Sequence, residues 1–145
     1  MEDEIVRDRI FITEADFDKL KRLIDGRRSM GIDVEQLNEL EQELDRAEVL
    51  DLGQPVPSDV VTMNSEVRLL DLDSGETKVY KLVFPSGARS GNSLSVLAPI
   101  GTAILGYRVG SVIEWRVPRG VRRLKILDVR FQPEAAGLET EVPAA

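Results

Sequence analysis

The side chains that could carry chemistry in this sequence are carboxylates, lysines, arginines, hydroxyls and amides, since its 145 residues include no histidine and no cysteine. Their absence excludes Ser–His and Cys–His catalysis, disulfides and the usual zinc sites. Gly101, Gly106 and Gly110 are too widely spaced for a phosphate loop, and no Lys-Ser or Lys-Thr pair follows them. Carboxylate, lysine or tyrosine chemistry remains open, but the composition predicts a protein that is not an enzyme and needs no metal or cofactor.

Charge is distributed unevenly along the chain. The net charge is -7, with 16 acidic and 8 basic side chains in residues 1–53 and 10 acidic and 11 basic ones in residues 54–145. Net acidity argues against direct nucleic-acid binding, which requires neutralisation of phosphates. An acidic arm favours a protein partner with a positive surface, or simply a soluble helical pair.

The sequence also contains no membrane signal. No apolar run approaches the roughly 18–20 residues that span a bilayer. The acidic start at residues 1–4 lacks the basic-then-apolar plan of a signal peptide. We therefore expect a cytoplasmic protein.

The first half has the period of helices. Apolar residues recur at spacings of three and four from Phe17 to Ile24. Thr13 is a suitable N-cap for this helix, Ile12 can form a hydrophobic staple with Phe17, and the Asp16 carboxylate can approach the free amides of the first turn.

A second helix is predicted to start at Asp33. Asp33 can serve as its cap, Gln36 completes a capping box, and Ile32 can form a staple with Leu37. The apolar seam of this helix follows at Leu37, Leu40, Leu44 and Ala47. Because the link between the helices is short, they should pack antiparallel as a hairpin within residues 1–53.

After the linker 52–57 the period falls to two, which is typical of strands. Strands are predicted at 67–72, 77–84, 93–97, 111–117 and 121–132, with a short helix at 99–105. The alternation of apolar and polar residues shifts by one position after Ile126, which indicates a β-bulge or a strand covered on both faces. The expected architecture is α+β, with an antiparallel sheet wrapped on one short helix in residues 54–133 and a flexible tail at 134–145.

Several blocks of the sequence resemble the Rnk family of small bacterial proteins, which are related to the Gre transcript-cleavage factors. The matching blocks are DVVTMNS at 59–65, LSVLAPIGTAILG at 94–106, RVG at 108–110, QPEAAG at 132–137 and LEQELDRA at 40–47. The resemblance implies a short antiparallel coiled-coil hairpin followed by an FKBP-like domain.

The resemblance also implies a partner, RNA polymerase. Gre factors dock their C-terminal domain on the rim of the polymerase secondary channel. They reach inward with a long coiled coil that presents two acidic side chains, which help to hold a catalytic magnesium. At about 1.5 Å per residue, helices of 14–16 residues are only about 21–24 Å long. The resemblance implies a monomer that occupies the same channel entrance and competes with Gre-type factors. Because its helices are this short, we do not expect it to deliver magnesium or to stimulate transcript cleavage.

Three groups of residues are candidate contact sites. The hairpin tip comprises Asp25, Arg27, Arg28, Met30, Asp33 and Glu35. Asp33 and Glu35 are also explained by helix capping, whereas Arg27, Arg28 and Met30 have no structural role that the sequence suggests.

The second group is the segment Ser95, Val96, Leu97, Ala98 and Pro99. Gre proteins have a polar residue and then Ser-Pro where this chain has Leu97-Ala98-Pro99, and that region contacts the polymerase. The proline matches and the two residues before it do not. The entry to a helix would by itself also explain Pro99.

The third group is Arg119, Arg122, Arg123 and Lys125. It is interpreted as a charged strand edge that opposes aggregation, or as a contact for phosphate or an acidic partner.

Two other functions remain as alternatives. An FKBP-like domain could be a prolyl isomerase or chaperone, which requires an aromatic-lined pocket. The aromatic residues of this half are Tyr80, Phe84, Tyr107, Trp115 and Phe131, with Trp115 expected in the core. The other alternative is an adaptor for an enzyme of nucleotide metabolism.

Overall fold

The computed structural model describes residues 9–88, 91–118 and 120–137, with the backbone alone at 115–117. Its helices are α1 (Glu14–Ser29), α2 (Val34–Arg46) and α3 (Pro99–Ile104), with one 3-10 turn at Pro85–Gly87. Its strands are β1 (Phe11–Thr13), β2 (Glu48–Leu50), β3 (Glu66–Asp71), β4 (Thr77–Val83), β5 (Ser93–Ser95), β6 (Val112–Val117) and β7 (Gly120–Phe131). The α+β class is confirmed.

At the start of α1, the hydrogen bond of Thr13 matches the prediction, whereas that of Asp16 does not. The Thr13 hydroxyl accepts a hydrogen bond from the Asp16 amide at 3.1 Å, which confirms the cap. The Asp16 carboxylate instead accepts a hydrogen bond from the Met63 amide at 3.1 Å. It is turned inward because Asp16 shares one helical face with the buried Leu20 and Ile24, at spacings of four residues.

Asp33 occupies the N-cap position of α2 as predicted, but its side chain does not cap the helix. Asp33 has a left-handed backbone (φ 56°) and makes no side-chain cap hydrogen bond, so the capping box does not form. Its carboxylate instead accepts a hydrogen bond from Arg27 at 2.6 Å. Ile32 is exposed and lies outside the core, so the second staple is also absent. Only four residues link the helices, and this tight connection requires left-handed residues at Gly31 and Asp33.

A short parallel strand pair flanks the two helices and was not predicted. Strand β1 pairs with β2, with Phe11 opposite Glu48 and Thr13 opposite Leu50. Three residues per strand are too few to show a period of two in the sequence. The pair joins the outer ends of α1 and α2 at the base of the hairpin.

The second half contains a five-stranded sheet in the order β5-β4-β3-β7-β6. Strand β5 runs parallel to β4, so the expectation of a purely antiparallel sheet is wrong. The predicted bulge is confirmed: Arg68 pairs with Asp128 and Leu69 with Ile126, which leaves Leu127 as the extra residue.

Buried side chains of both halves form one continuous core. Leu20, Ile24 and Leu40 of the helices belong to the same cluster as Leu69 and Ile104. The core therefore extends across the linker, and the buried face of α1 shares it with the five-stranded sheet.

The last described residues are tied to the linker and to the entry of the sheet domain. The Gln132 amide nitrogen donates hydrogen bonds to the carbonyls of Pro57 and Val60 at 2.9 and 2.8 Å. The Thr62 hydroxyl donates to the Glu134 carboxylate at 2.6 Å. Residues 134–137, the first four of the predicted tail, form a turn in which the Gly137 amide donates to the Glu134 carbonyl at 3.1 Å. Residues 138–145 lie outside the described part of the chain.

Candidate partner-binding surfaces

The tip of the helix pair combines paired charges with exposed apolar side chains. Arg28 donates hydrogen bonds to Asn38 at 3.0 Å and to Glu41 at 2.9 Å, which links α1 to α2. This pairing raises the pKa of Arg28 and lowers that of Glu41. Arg27 is bound to Asp33, so both arginines have structural partners that the sequence did not reveal.

The remaining predicted tip residues face solvent. Asp25 and Glu35 are exposed, and Met30 is 66% exposed. Ile32 and Val34 are exposed beside Met30. The tip therefore presents three apolar side chains around a pair of neutralised arginines.

The segment at residues 95–99 connects β5 to α3, and only part of it can be reached by a partner. Val96 and Leu97 are buried, Ser95 and Ala98 are half-buried, and Pro99 is exposed. The Ser95 hydroxyl accepts a hydrogen bond from the Leu97 amide at 3.1 Å. The surface that this segment offers therefore consists mainly of Ala98 and Pro99.

The conformation of this segment is fixed by the close approach of α3. The Thr102 hydroxyl donates a hydrogen bond to the Val96 carbonyl at 2.6 Å, and the Thr102 amide donates to the Ala98 carbonyl at 2.9 Å. Gly101 lies directly over the backbone of Ser95. These contacts hold Pro99 in place at the first turn of α3.

The basic group on β7 has acidic partners. Arg122 pairs with Asp71, and Arg123 pairs with Asp73 at 3.3 Å. Lys125 lies between β3 and β6, whereas Arg122 and Arg123 lie beyond Leu124, the last residue of β7 that pairs with β3. The interpretation as a charged strand edge is therefore wrong for Lys125 and stays open for the two arginines. Arg119 lies outside the described residues. Lys125, the remaining member of the predicted group, is half-buried on β7.

A cleft between the base of α1 and the sheet domain was missed by the sequence analysis. It has a volume of about 260 Å³, and its lining includes Asp16, Lys19, Asn64, Pro133 and Glu134. Only 8% of Asp16 is exposed. The sequence contains a signal for this burial, since Asp16 lies four residues before Leu20, on the apolar face of α1.

Burial raises the pKa of the Asp16 carboxyl to about 7, and the nearby Glu134 carboxylate adds to the increase. The Met63 amide, Lys19 and the Thr13 side chain oppose it. Asp16 is therefore an ionisable group inside the junction of the two halves, and it titrates near neutral pH.

The described residues offer no arrangement for the other chemistry that we considered. Within them, no three Asp or Glu side chains cluster closely enough to hold a metal ion. Among the five aromatic residues of the second half, only Phe84 lines either of the two best-formed cavities, and the Trp115 side chain is not described. The described helices are too short or too polar to cross a membrane.

Both halves of the chain match known protein families. Residues 8–50 match the family described as Rnk N-terminus. The chain is 41% identical over 133 residues to the regulator of nucleoside diphosphate kinase of Escherichia coli K12, covering 90% of this chain and 96% of that protein. The chain belongs to the Rnk family.

The second half of this Rnk family member matches a further family. Residues 56–131 match the C-terminal region of the transcription elongation factors GreA and GreB. The chain is 33% identical over 97 residues to the elongation factor GreA of Azorhizobium caulinodans, covering 66% of this chain and 61% of that protein.

A solved structure supports the same relationship. The prokaryotic transcription elongation factor GreA/GreB from Nitrosomonas europaea superposes with a TM-score of 0.68 at 37% identity. The alignment covers 86% of this chain and all of that one. The Rnk family fold described above therefore has a counterpart among solved elongation-factor structures.

Proposed function

We propose that this chain is a transcription regulator that binds RNA polymerase at the secondary channel. In this proposal it competes there with Gre-type factors and does not stimulate transcript cleavage. The sheet domain acts as an FKBP-like docking domain, and α1 and α2 act as a short coiled-coil hairpin that occupies the channel entrance. The protein works by binding, as a cytoplasmic monomer and without direct contact to nucleic acid.

The observation that carries this proposal is the combination of a GreA/GreB-type C-terminal region with a very short helix pair. The C-terminal match covers residues 56–131. The helices contain 16 and 13 residues, so each is at most about 24 Å long. A chain built this way can dock like a Gre factor, but its tip cannot extend as far as a long coiled coil.

The chemistry of the tip supports the same conclusion. Asp33 is ion-paired with Arg27, so Asp25 and Glu35 are the predicted tip acids that form no ion pair with another described residue. Their positions are separated by the apolar residues Met30, Ile32 and Val34. The tip therefore favours a binding role over the delivery of a magnesium ion.

The docking surface can be tested at Pro99. Replacing this exposed residue by glutamate places a charge on the surface of the 95–99 segment, while an acid in the first turn of α3 suits the helix dipole. If Pro99 lies in the docking surface, the charge must lose its hydration there. We expect Pro99→Glu to weaken binding to core RNA polymerase by about tenfold or more, measured by titration of labelled protein.

Pro55→Glu is the matched control, because Pro55 is an exposed proline in the linker. It should leave the affinity within about twofold. Circular dichroism would verify that both variants are folded. Absence of polymerase binding by the unmodified protein would contradict the proposed function, whereas equal affinity of the two variants would contradict only the assignment of the docking surface.

A further inference from the structure

A shallow groove lies between α1 and the turn that follows β4. It has a volume of about 400 Å³. Its lining comprises Lys19, Arg22, Leu23, Arg27, Phe84, Pro85 and Ser86. We refer to these seven residues as the α1 groove. Because both halves of the chain line it, a partner that binds there contacts the helix pair and the sheet domain together.

The pairing of β4 with β5 places this groove beside the proposed docking segment. The two strands are parallel, with Val83 opposite Ser95, so the residues that follow them leave the sheet at the same end. The Val96 amide donates a hydrogen bond to the Val83 carbonyl at 2.9 Å. Phe84, in the wall of the groove, follows Val83 directly, and Pro99 lies three residues after Val96, at most about 11 Å away. One partner surface can therefore contact Pro99 and the groove at once.

The stretch of chain that forms β4, β5 and α3 contains no carboxylate side chain. Residues 77–113 include four basic residues and no Asp or Glu, although the whole chain has 26 acidic residues and a net charge of -7. The docking segment and the sheet-domain side of the α1 groove both belong to this stretch. An acidic segment of a partner therefore meets no repulsion from these residues.

The helix side of the groove adds two cations. Lys19 and Arg22 are exposed, and neither forms an ion pair with a carboxylate of the described residues. Asp18 and Asp25 lie about one helical turn from Arg22 on α1, but neither lines the groove. Half-buried Leu23 supplies apolar surface beside the cations. A matching ligand carries carboxylates on a partly apolar surface.

We propose that the α1 groove extends the docking surface and receives an acidic, partly apolar segment of RNA polymerase. This inference rests on the proposed function. Pro99 and the apolar wall of the groove supply buried contact, whereas Lys19 and Arg22 attract the carboxylates and favour one orientation of the segment. Because both cations are exposed, salt screens their contribution.

Titration of labelled protein with core RNA polymerase, in the absence of DNA and RNA, tests the role of Arg22. Arg22→Glu should weaken binding about tenfold at about 0.05 M salt, because attraction is replaced by repulsion, and only about twofold to threefold at about 0.5 M salt. Arg22→Lys keeps the charge and should bind within about threefold of the unmodified protein.

Lys78→Glu is the matched control, because it makes the same change of charge at an exposed site. Lys78 lies near the start of β4, about 16 Å along the strand from Val83. Its replacement should change the affinity by less than about twofold. Circular dichroism would verify that all variants are folded.

A second titration uses polymerase assembled on a DNA–RNA scaffold. Arg22→Glu should reduce affinity by the same factor with and without the scaffold, because the segment bound in the groove is protein. A reduction seen only with the scaffold would identify a phosphate contact and overturn the proposal.

Two further results would overturn it. Arg22→Glu could bind core polymerase as tightly as the unmodified protein, or Lys78→Glu could weaken binding as much as Arg22→Glu does. Either result leaves the proposed function intact, since it requires that the unmodified protein binds. Absence of binding by the unmodified protein would contradict the proposed function and this inference together.

Discussion

Replacing Gly101 by alanine is expected to lower the free energy of unfolding by about 3 kcal/mol or more. A Cβ atom at this position would overlap the Ser95 carbonyl oxygen, and it would lie 2.9 Å from the Ser95 carbonyl carbon and 3.1 Å from the Val96 Cα. These neighbours are backbone atoms, so no side chain can rotate away to make room. Chemical denaturation at pH 7 would measure the effect.

Gly26→Ala is the matched control for this substitution. Gly26 is also helical, but a Cβ atom there would meet nothing within 4 Å. Alanine should therefore stabilise α1 by about 0.5–1 kcal/mol, since it restricts the unfolded chain and favours the helix. Similar effects of the two substitutions would show that α3 does not pack on β5 as described.

The Gly101 contact also positions the proposed docking surface. Because α3 approaches β5 so closely, the intervening segment has little freedom, and Pro99 is held at the surface. Gly101→Ala should consequently weaken polymerase binding even under conditions where the variant remains folded. Gly26→Ala should retain full binding.

Replacing Asp16 by asparagine is expected to raise the free energy of unfolding at pH 8 by about 3 kcal/mol. The pKa of Asp16 is about 7 in the folded chain, compared with an ordinary value of 3.8. Above pH 7 the native protein therefore contains a buried, ionised carboxylate beside Glu134. Asparagine keeps an oxygen that can accept the Met63 amide hydrogen bond, and it removes the charge.

The sign of the pH dependence follows from the same shift. Between pH 4 and pH 7 the folded chain binds a proton at Asp16 that the unfolded chain releases. The contribution of Asp16 to stability is therefore complete below about pH 4 and is lost as the pH rises through about 7. Urea denaturation across this range should show a decline in the unmodified protein that is absent in Asp16→Asn.

Asp18→Asn provides the control, since it removes the same charge from an exposed position on the same helix. It should retain the decline. An equal pH dependence in Asp16→Asn and the unmodified protein would contradict the burial of Asp16 at the junction.

The elements that are marked by local sequence signals could be predicted. Strand β4 was expected at 77–84 and spans Thr77–Val83, and α3 was expected at 99–105 and spans Pro99–Ile104. The slip of phase at Leu127 correctly indicated a bulge. In each case the pattern of neighbouring residues determines the structure, because one face of the element must be buried.

The features that could not be predicted depend on contacts between distant residues. Asp33 looked like a helix cap, but its ion pair with Arg27 and the geometry of the short link determine its conformation. Asp16 looked like a first-turn acid, but its partner is the amide of Met63, 47 positions away. Local preference suggested a role for each of these side chains, whereas the partner that each one contacts is set by the tertiary fold.

The structure of the 95–99 segment could likewise be predicted only in part. The location of the 95–99 segment at the entry to α3 was correct, since Pro99 begins that helix. Which of its residues face outward could not be deduced, because the burial of Val96 and Leu97 depends on the packing of α3 against β5. Whether Ala98 and Pro99 contact the polymerase stays a prediction.

Inhibition of GreA-stimulated transcript cleavage tests the central claim most directly. Backtracked elongation complexes would be incubated with GreA and increasing amounts of this protein, and cleavage of the labelled transcript would be followed over time. We expect that cleavage falls as the protein displaces GreA, that excess GreA restores it, and that the protein alone produces none. Unchanged cleavage at saturating protein, or cleavage stimulated by the protein itself, would contradict the account.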